Sequence, residues 1–89
     1  MSENNSQTLA RKLAMIRQHL GLNLDQMAEA IGRKDKSRRA RIYEWESGVR
    51  QPDYKSLLAY ARLVDVSTDT LIDDSITLQL PSAETGDLD

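Results

Sequence analysis

Apolar residues recur along this chain at intervals of three and four, the spacing of one helix face, in four successive stretches. From Thr8, the positions Leu9, Leu13, Ile16 and Leu20 make one such face, and Gly21 closes it as a C-terminal cap. Asn23 is a good N-cap for a second helix, and Gln26 three residues later completes a capping-box pattern. Met27, Ala28 and Ile31 form the apolar face of that helix, and Gly32 ends it. A third helix is predicted to start near Asp35 or Ser37 and to run over about 36–47, with Ile42 and Trp45 inward and Gly48 as its stop. Pro52-Asp53 opens a fourth, with Leu57, Leu58, Ala61 and Val64 inward and Asp65 in a left-handed position. Ser67 caps a short fifth, STDTLIDD, whose Leu71 and Ile72 close the core.

After Asp74 the period changes. In SITLQLP, Ile76, Leu78 and Leu80 alternate with Thr77 and Gln79, so a strand is predicted at 75–80. A single strand is not stable alone. It either pairs with the same strand of a second subunit or lies on the body. The polar residues 1–7 and the acidic residues 81–89 are predicted to be disordered. The expected organisation is a domain at 8–74 followed by an acidic C-terminal tail at 75–89.

Composition sharpens this picture. Of the 89 residues 39% are hydrophobic, with no Phe and one Trp, so the core rests on Leu, Ile, Ala, Val and Met, which suits packed helices. The absence of Cys excludes a disulfide framework and favours a cytoplasmic setting. No apolar run approaches the roughly 18 residues of a membrane span, and the polar start MSENNSQT lacks a signal segment. The net charge of −2 conceals an asymmetry. Residues 1–64 hold all twelve Lys/Arg and seven of the fourteen acids, leaving +5; residues 65–89 hold the other seven acids and no Lys/Arg, leaving −7. Within the basic part, GRKDKSRRARIYEWESG (32–48) carries six Lys/Arg against Asp35 in its first half. Positive charge on and before a short helix suits binding to a polyanion. A solvated basic face is the alternative.

Other chemistry has little support. His19 is the only histidine and no Cys accompanies it, so a metal site lacks ligands. Asp69, Asp73 and Asp74 read as helix-dipole or tail charges. No glycine-rich phosphate loop and no Ser-His-Asp set is present. The sequence points away from an enzyme, and no cofactor or metal is implied.

LAMIRQHLGLNLDQMAEAIG followed by RIYEWESGVRQPDYKSLLAYARLVDVSTDTLI resembles the Cro/phage-repressor-like (XRE) helix-turn-helix family over residues 9–74. The resemblance implies an all-α, compact five-helix, lambda-repressor-like DNA-binding domain, with helices two and three as the helix-turn-helix and helix three in the major groove. It implies an ion pair between Arg17 and Glu46, read as a buried structural pair. Carrying over the exposed positions of helix three places Arg38, Arg39, Ala40, Tyr43 and Glu44 toward bases. Arg39 is the leading candidate for a bidentate contact to guanine, Arg38 for a base or a phosphate, Glu44 for a cytosine amine, and Tyr43 and Ala40 for thymine methyls. Arg33, Lys34 and Lys36 suit phosphates, as does Arg41 unless it lies along the surface. Ser47, Arg50 and Gln51 fall in the loop that the family uses to hold the adjoining phosphate, with Lys55 assisting.

Two departures from the family pattern stand out. Leu24 occupies a position after the helix-two cap that is usually polar, which leaves its backbone contact to Gln26 or the Asn23 end of the helix. Twelve residues separate Gly32 from Trp45 where the family typically has eight, so RKDK lengthens the turn. The function expected is sequence-specific transcriptional regulation on double-stranded DNA, as a homodimer on a two-fold site, through the strand or a face near helix five. The alternative is an antitoxin or other interaction module whose C-terminal tail binds a partner protein.

Overall fold

The computed structural model describes residues 7–80, and in them five α-helices enclose one core. They are α1 (Leu9–Leu20), α2 (Leu24–Ala30), α3 (Arg38–Ser47), α4 (Tyr54–Leu63) and α5 (Thr68–Ile72). Side chains satisfy the first N–H groups of four of them. Thr8 accepts from the Arg11 N–H, Asp53 from Ser56 and Ser67 from Thr70, while Asn23 and Gln26 form the reciprocal capping box of α2. At α3, Ser37 occupies the cap position without a side-chain bond.

Left-handed backbone turns the chain at Gly21, Gly32, Gly48 and Asp65. Gly48, at φ 82°, turns the chain out of α3 while its N–H reaches back to Glu44 and Trp45 carbonyls. Asp65, at φ 59°, does the same after α4, where a short polar side chain is one of the few that tolerate it.

Leu13 and Ile16 of α1, Met27 and Ala28 of α2, Ile42 and Trp45 of α3, Tyr60 and Ala61 of α4, and Leu71 of α5 meet in the centre. Trp45 and Tyr60 pack edge to face with centroids 6.4 Å apart. α3 packs against both α1 and α2, which fixes its inward face. Two expectations need correction. Tyr60, rather than Leu58, belongs to the buried face of α4, because 57, 60 and 61 lie on one side and Leu58 is turned about 100° away. Ile72 is 56% exposed, since one turn of α5 presents a single inward residue, Leu71. Gly32 ends α2 as expected: it follows the cap Ile31 at φ 90°, and the Arg33 N–H closes back on the Ala28 carbonyl.

Lys12 is fully buried. Its Nζ donates to the carbonyls of Thr70 (2.6 Å) and Asp73 (2.9 Å), so an ammonium from α1 caps the C-terminal end of α5.

The predicted strand at 75–80 has no ladder partner among the described residues. The segment instead lies across the body: Leu78 is 2% exposed and its N–H donates to Gln7 Oε1 at 2.7 Å, while Leu80 packs against the core. The alternation that suggested a strand serves to turn Leu78 inward from an extended strap. Gln7 thereby makes an ordered contact, in contrast to the disorder expected of 1–7; residues 1–6 and 81–89 lie outside the described residues.

Candidate nucleic-acid interface

Helix α3 is held by one side and open on the other. Ile42 and Trp45 are buried, and the opposite side carries Arg39, Ala40, Tyr43 and Ser47, all exposed and spaced by helical turns. Tyr43 is 61% exposed. Gln18 of α1 and Asn23 and Leu24 at the start of α2 flank this strip, sharing a shallow groove with Arg39, Tyr43 and Ser47.

The scaffold behind the strip is fastened by Arg17 and Glu46. Arg17 Nε lies 2.8 Å from Glu46 Oε2 and Nη2 3.0 Å from Oε1, a bidentate pair, while Nη1 donates to the Leu22 carbonyl at 3.0 Å. The side chains are 21% and 10% exposed. Hydrogen bonding to Glu46 raises the Arg17 guanidinium further above its ordinary value, against the opposing effect of desolvation. One pair thus ties α1, the α1–α2 turn and α3 together.

Of the five positions read from sequence as facing bases, Arg39, Ala40 and Tyr43 share the outward strip, and Arg38 and Glu44 are drawn into ion pairs. Arg38 Nε lies 3.1 Å from Asp25 Oδ1 and its Nη2 4.0 Å from Glu29 Oε2, both on α2. Glu44 Oε1 accepts from Arg41 Nη1 at 3.1 Å and lies 3.0 Å from Arg50 Nε. Arg33 also differs from the free cation its position suggested: its guanidinium carbon sits 5.5 Å from the Trp45 ring centroid and its Nε 3.3 Å from Asp35 Oδ1. Lys34, Lys36 and Arg39 are exposed and make no ion pair with any described residue. Lys34 and Lys36 stand on the lengthened turn, and Ser47, Arg50 and Gln51 lie at the far end of the helix.

The lengthened turn is ordered by its backbone. The Arg33 N–H donates to the Ala28 carbonyl and the Arg38 N–H to that of Asp35, so α3 begins at Arg38 after an extra loop rather than a tight turn. Asp25, Glu29 and Gln18 were not singled out in the sequence. An i, i+4 pair of acids on α2 preceding an arginine-rich helix is the signal by which the first two could have been found.

A family model described as a helix-turn-helix domain matches residues 10–74. The chain belongs to the helix-turn-helix domain family. Its architecture is that of the Cro/phage-repressor (XRE) type. A crystal structure of the P22 c2 repressor in complex with a synthetic operator superposes with a TM-score of 0.65 at 20% identity, over 78% of this chain and 98% of that one. The SinR–SinI protein complex provides a second similar structure, with a TM-score of 0.64 at 23% identity, over 91% of this chain and 74% of that one. At these identities the likeness concerns the fold. A search of curated proteins found no match. Among the described residues, no helix is long and apolar enough to cross a membrane.

Proposed function

We propose that this helix-turn-helix protein is a sequence-specific DNA-binding transcriptional regulator that places α3 in the major groove and acts as a homodimer. The reading is carried by the outward strip Arg39, Ala40, Tyr43 and Ser47, presented on a helix whose other side is locked into the core. An α-helix with its side chains is about 10–12 Å across and the major groove about 12 Å wide. In that position Arg39 can donate two hydrogen bonds to a guanine edge, and Ala40 and Tyr43 can meet thymine methyls. Lys34 and Lys36 at one end of the helix, and Ser47, Arg50 and Gln51 at the other, bracket the groove and suit its flanking phosphates. Lys55, exposed on the first turn of α4, extends that second group. The operator in the P22 c2 repressor complex is consistent with this ligand class.

A homodimer follows from mechanism. Three side chains give few base contacts, and two half-sites one helical turn apart double them. The alternative use of the C-terminal tail against a partner protein now carries a structural condition: Leu78 is buried, so a partner using this strap must displace it from the body.

Selection from a random duplex pool tests the reading. An enriched two-fold motif, bound with a linear dependence on log salt, is expected. Lys34→Ala combined with Lys36→Ala should weaken all duplexes alike and flatten the slope by up to about 2, roughly 0.9 for each phosphate no longer neutralised. Failure to enrich any motif, with no salt-dependent binding, refutes it.

A further inference from the structure

Glu44 holds Arg50 twice. Its Oε1 lies 3.0 Å from Arg50 Nε in an ion pair, and its backbone carbonyl accepts from the Arg50 N–H at 3.3 Å. The same carbonyl accepts from Val49 N–H at 3.0 Å and from Ser47 Oγ at 3.2 Å, and the same Oε1 from Arg41 Nη1 at 3.1 Å. One residue therefore gathers a guanidinium from α3, another from the following loop, and the backbone that turns between them. Arg33 and Asp53 line the adjoining depression with Trp45 and Gln51, and their charges offset each other there. The Arg41–Glu44–Arg50 group keeps a net positive charge, two guanidinium groups against one carboxylate.

We infer that Glu44 is a positioning residue for phosphate contact rather than a reader of bases: it aligns Arg41 and Arg50 on one side of the groove and removes one positive charge from non-specific attraction. This rests on the DNA-binding reading above. A carboxylate near phosphates is repelled when alone. Shared by two arginines, it costs little electrostatically and fixes two long side chains whose rotamer freedom binding would otherwise have to remove. The device exchanges non-specific affinity for discrimination, because a loosely held pair of arginines grips any duplex equally well.

The test uses the full chain with a selected operator duplex and a random-sequence duplex, comparing Glu44→Gln, Glu44→Ala, and Glu44→Ala combined with Arg50→Ala. Expected for Glu44→Gln and Glu44→Ala are several-fold tighter binding to the random duplex and a log–log salt slope steeper by about 1. The operator-to-random ratio should fall about five- to tenfold, with the preferred base unchanged at every position. Adding Arg50→Ala should return the slope to its original value. A purely structural role for Glu44 would lower the melting temperature and leave the slope unmoved, which overturns the inference. So would a switched preference confined to one base pair, the result for a base reader. If the unaltered protein shows no salt-dependent binding to either duplex, the DNA-binding reading fails, and this inference fails with it.

Discussion

Replacing Lys12 with Met tests the packing of α5 and the strap behind it. Met keeps the length and apolar character of the side chain and removes the ammonium. In the native structure that ammonium is fully buried and donates two hydrogen bonds, at 2.6 and 2.9 Å, to carbonyls at the end of α5. Bonds from a charged donor contribute about 1.5–3 kcal/mol each, and desolvating the ammonium opposes them by several kcal/mol. The Asp73 carbonyl keeps a second donor, the Ile76 N–H at 3.0 Å, whereas Thr70 depends more on Lys12. The balance is a net loss of about 2 kcal/mol for Lys12→Met, in line with the cost of one strong bond plus one under-satisfied buried carbonyl. For a domain of this size that lowers Tm by roughly 8–16 °C. Thermal and urea unfolding followed by circular dichroism measure it, and amide exchange should show α5 and residues 73–78 losing protection first. A variant as stable as the original, or more so, would refute the reasoning: it would mean that the cost of burying the charge exceeds what the two bonds return.

Further expectations concern the rest of the scaffold. Arg17→Met and Glu46→Gln should each cost about 2 kcal/mol, less than for a fully buried pair because both side chains keep some solvent, and a double-mutant cycle should give a coupling of about 1–2 kcal/mol. Leu78→Ala should cost about 2 kcal/mol by urea unfolding, whereas Thr77→Ala, on the exposed side of the strap, should be within about 0.5 kcal/mol of the original. Ser56 hydrogen bonding, and to a smaller extent the Arg33 charge, hold the Asp53 carboxyl below its ordinary range against desolvation. A depressed folded value stabilises above the unfolded value of about 3.9 and is lost as pH falls through the folded one. The stability gap between the original and Asp53→Ala, about 1 kcal/mol at pH 7, should therefore narrow below about pH 4 in unfolding curves.

Much of the architecture was legible because it is written in local chemistry. Asn23 with Gln26, Asp53, Ser67, Gly21, Gly48 and Asp65 each stop or start a helix through interactions spanning three or four residues. Lys12 was not legible: one residue before Leu13, it reads as a solvent-facing cation, and only the arrival of α5 some sixty residues later gives its ammonium carbonyls to cap. The alternation in SITLQL was real, yet period two describes any extended chain with one side buried, and a strap over the core satisfies it as well as a ladder does. In the candidate site, helical spacing turned Ile42 and Trp45 inward, and the family resemblance supplied the outward positions, with Arg39 ahead of Arg38. Neither showed that Arg38 is held by acids, because those acids lie on another helix. Glu44 was half legible: its i, i+3 relation to Arg41 is local, and Arg50 joins only after the turn at Gly48.

The central claim is that the outward strip of α3 reads DNA, with Arg39 as its chief donor. The base preference of Arg39→Ala, determined by duplex selection beside that of the unaltered protein, tests this most directly. A preference for guanine lost at one position in each half-site, with about 1–3 kcal/mol less binding to the original motif and the remaining positions retained, is the predicted result. An unchanged motif bound with unchanged affinity would contradict it.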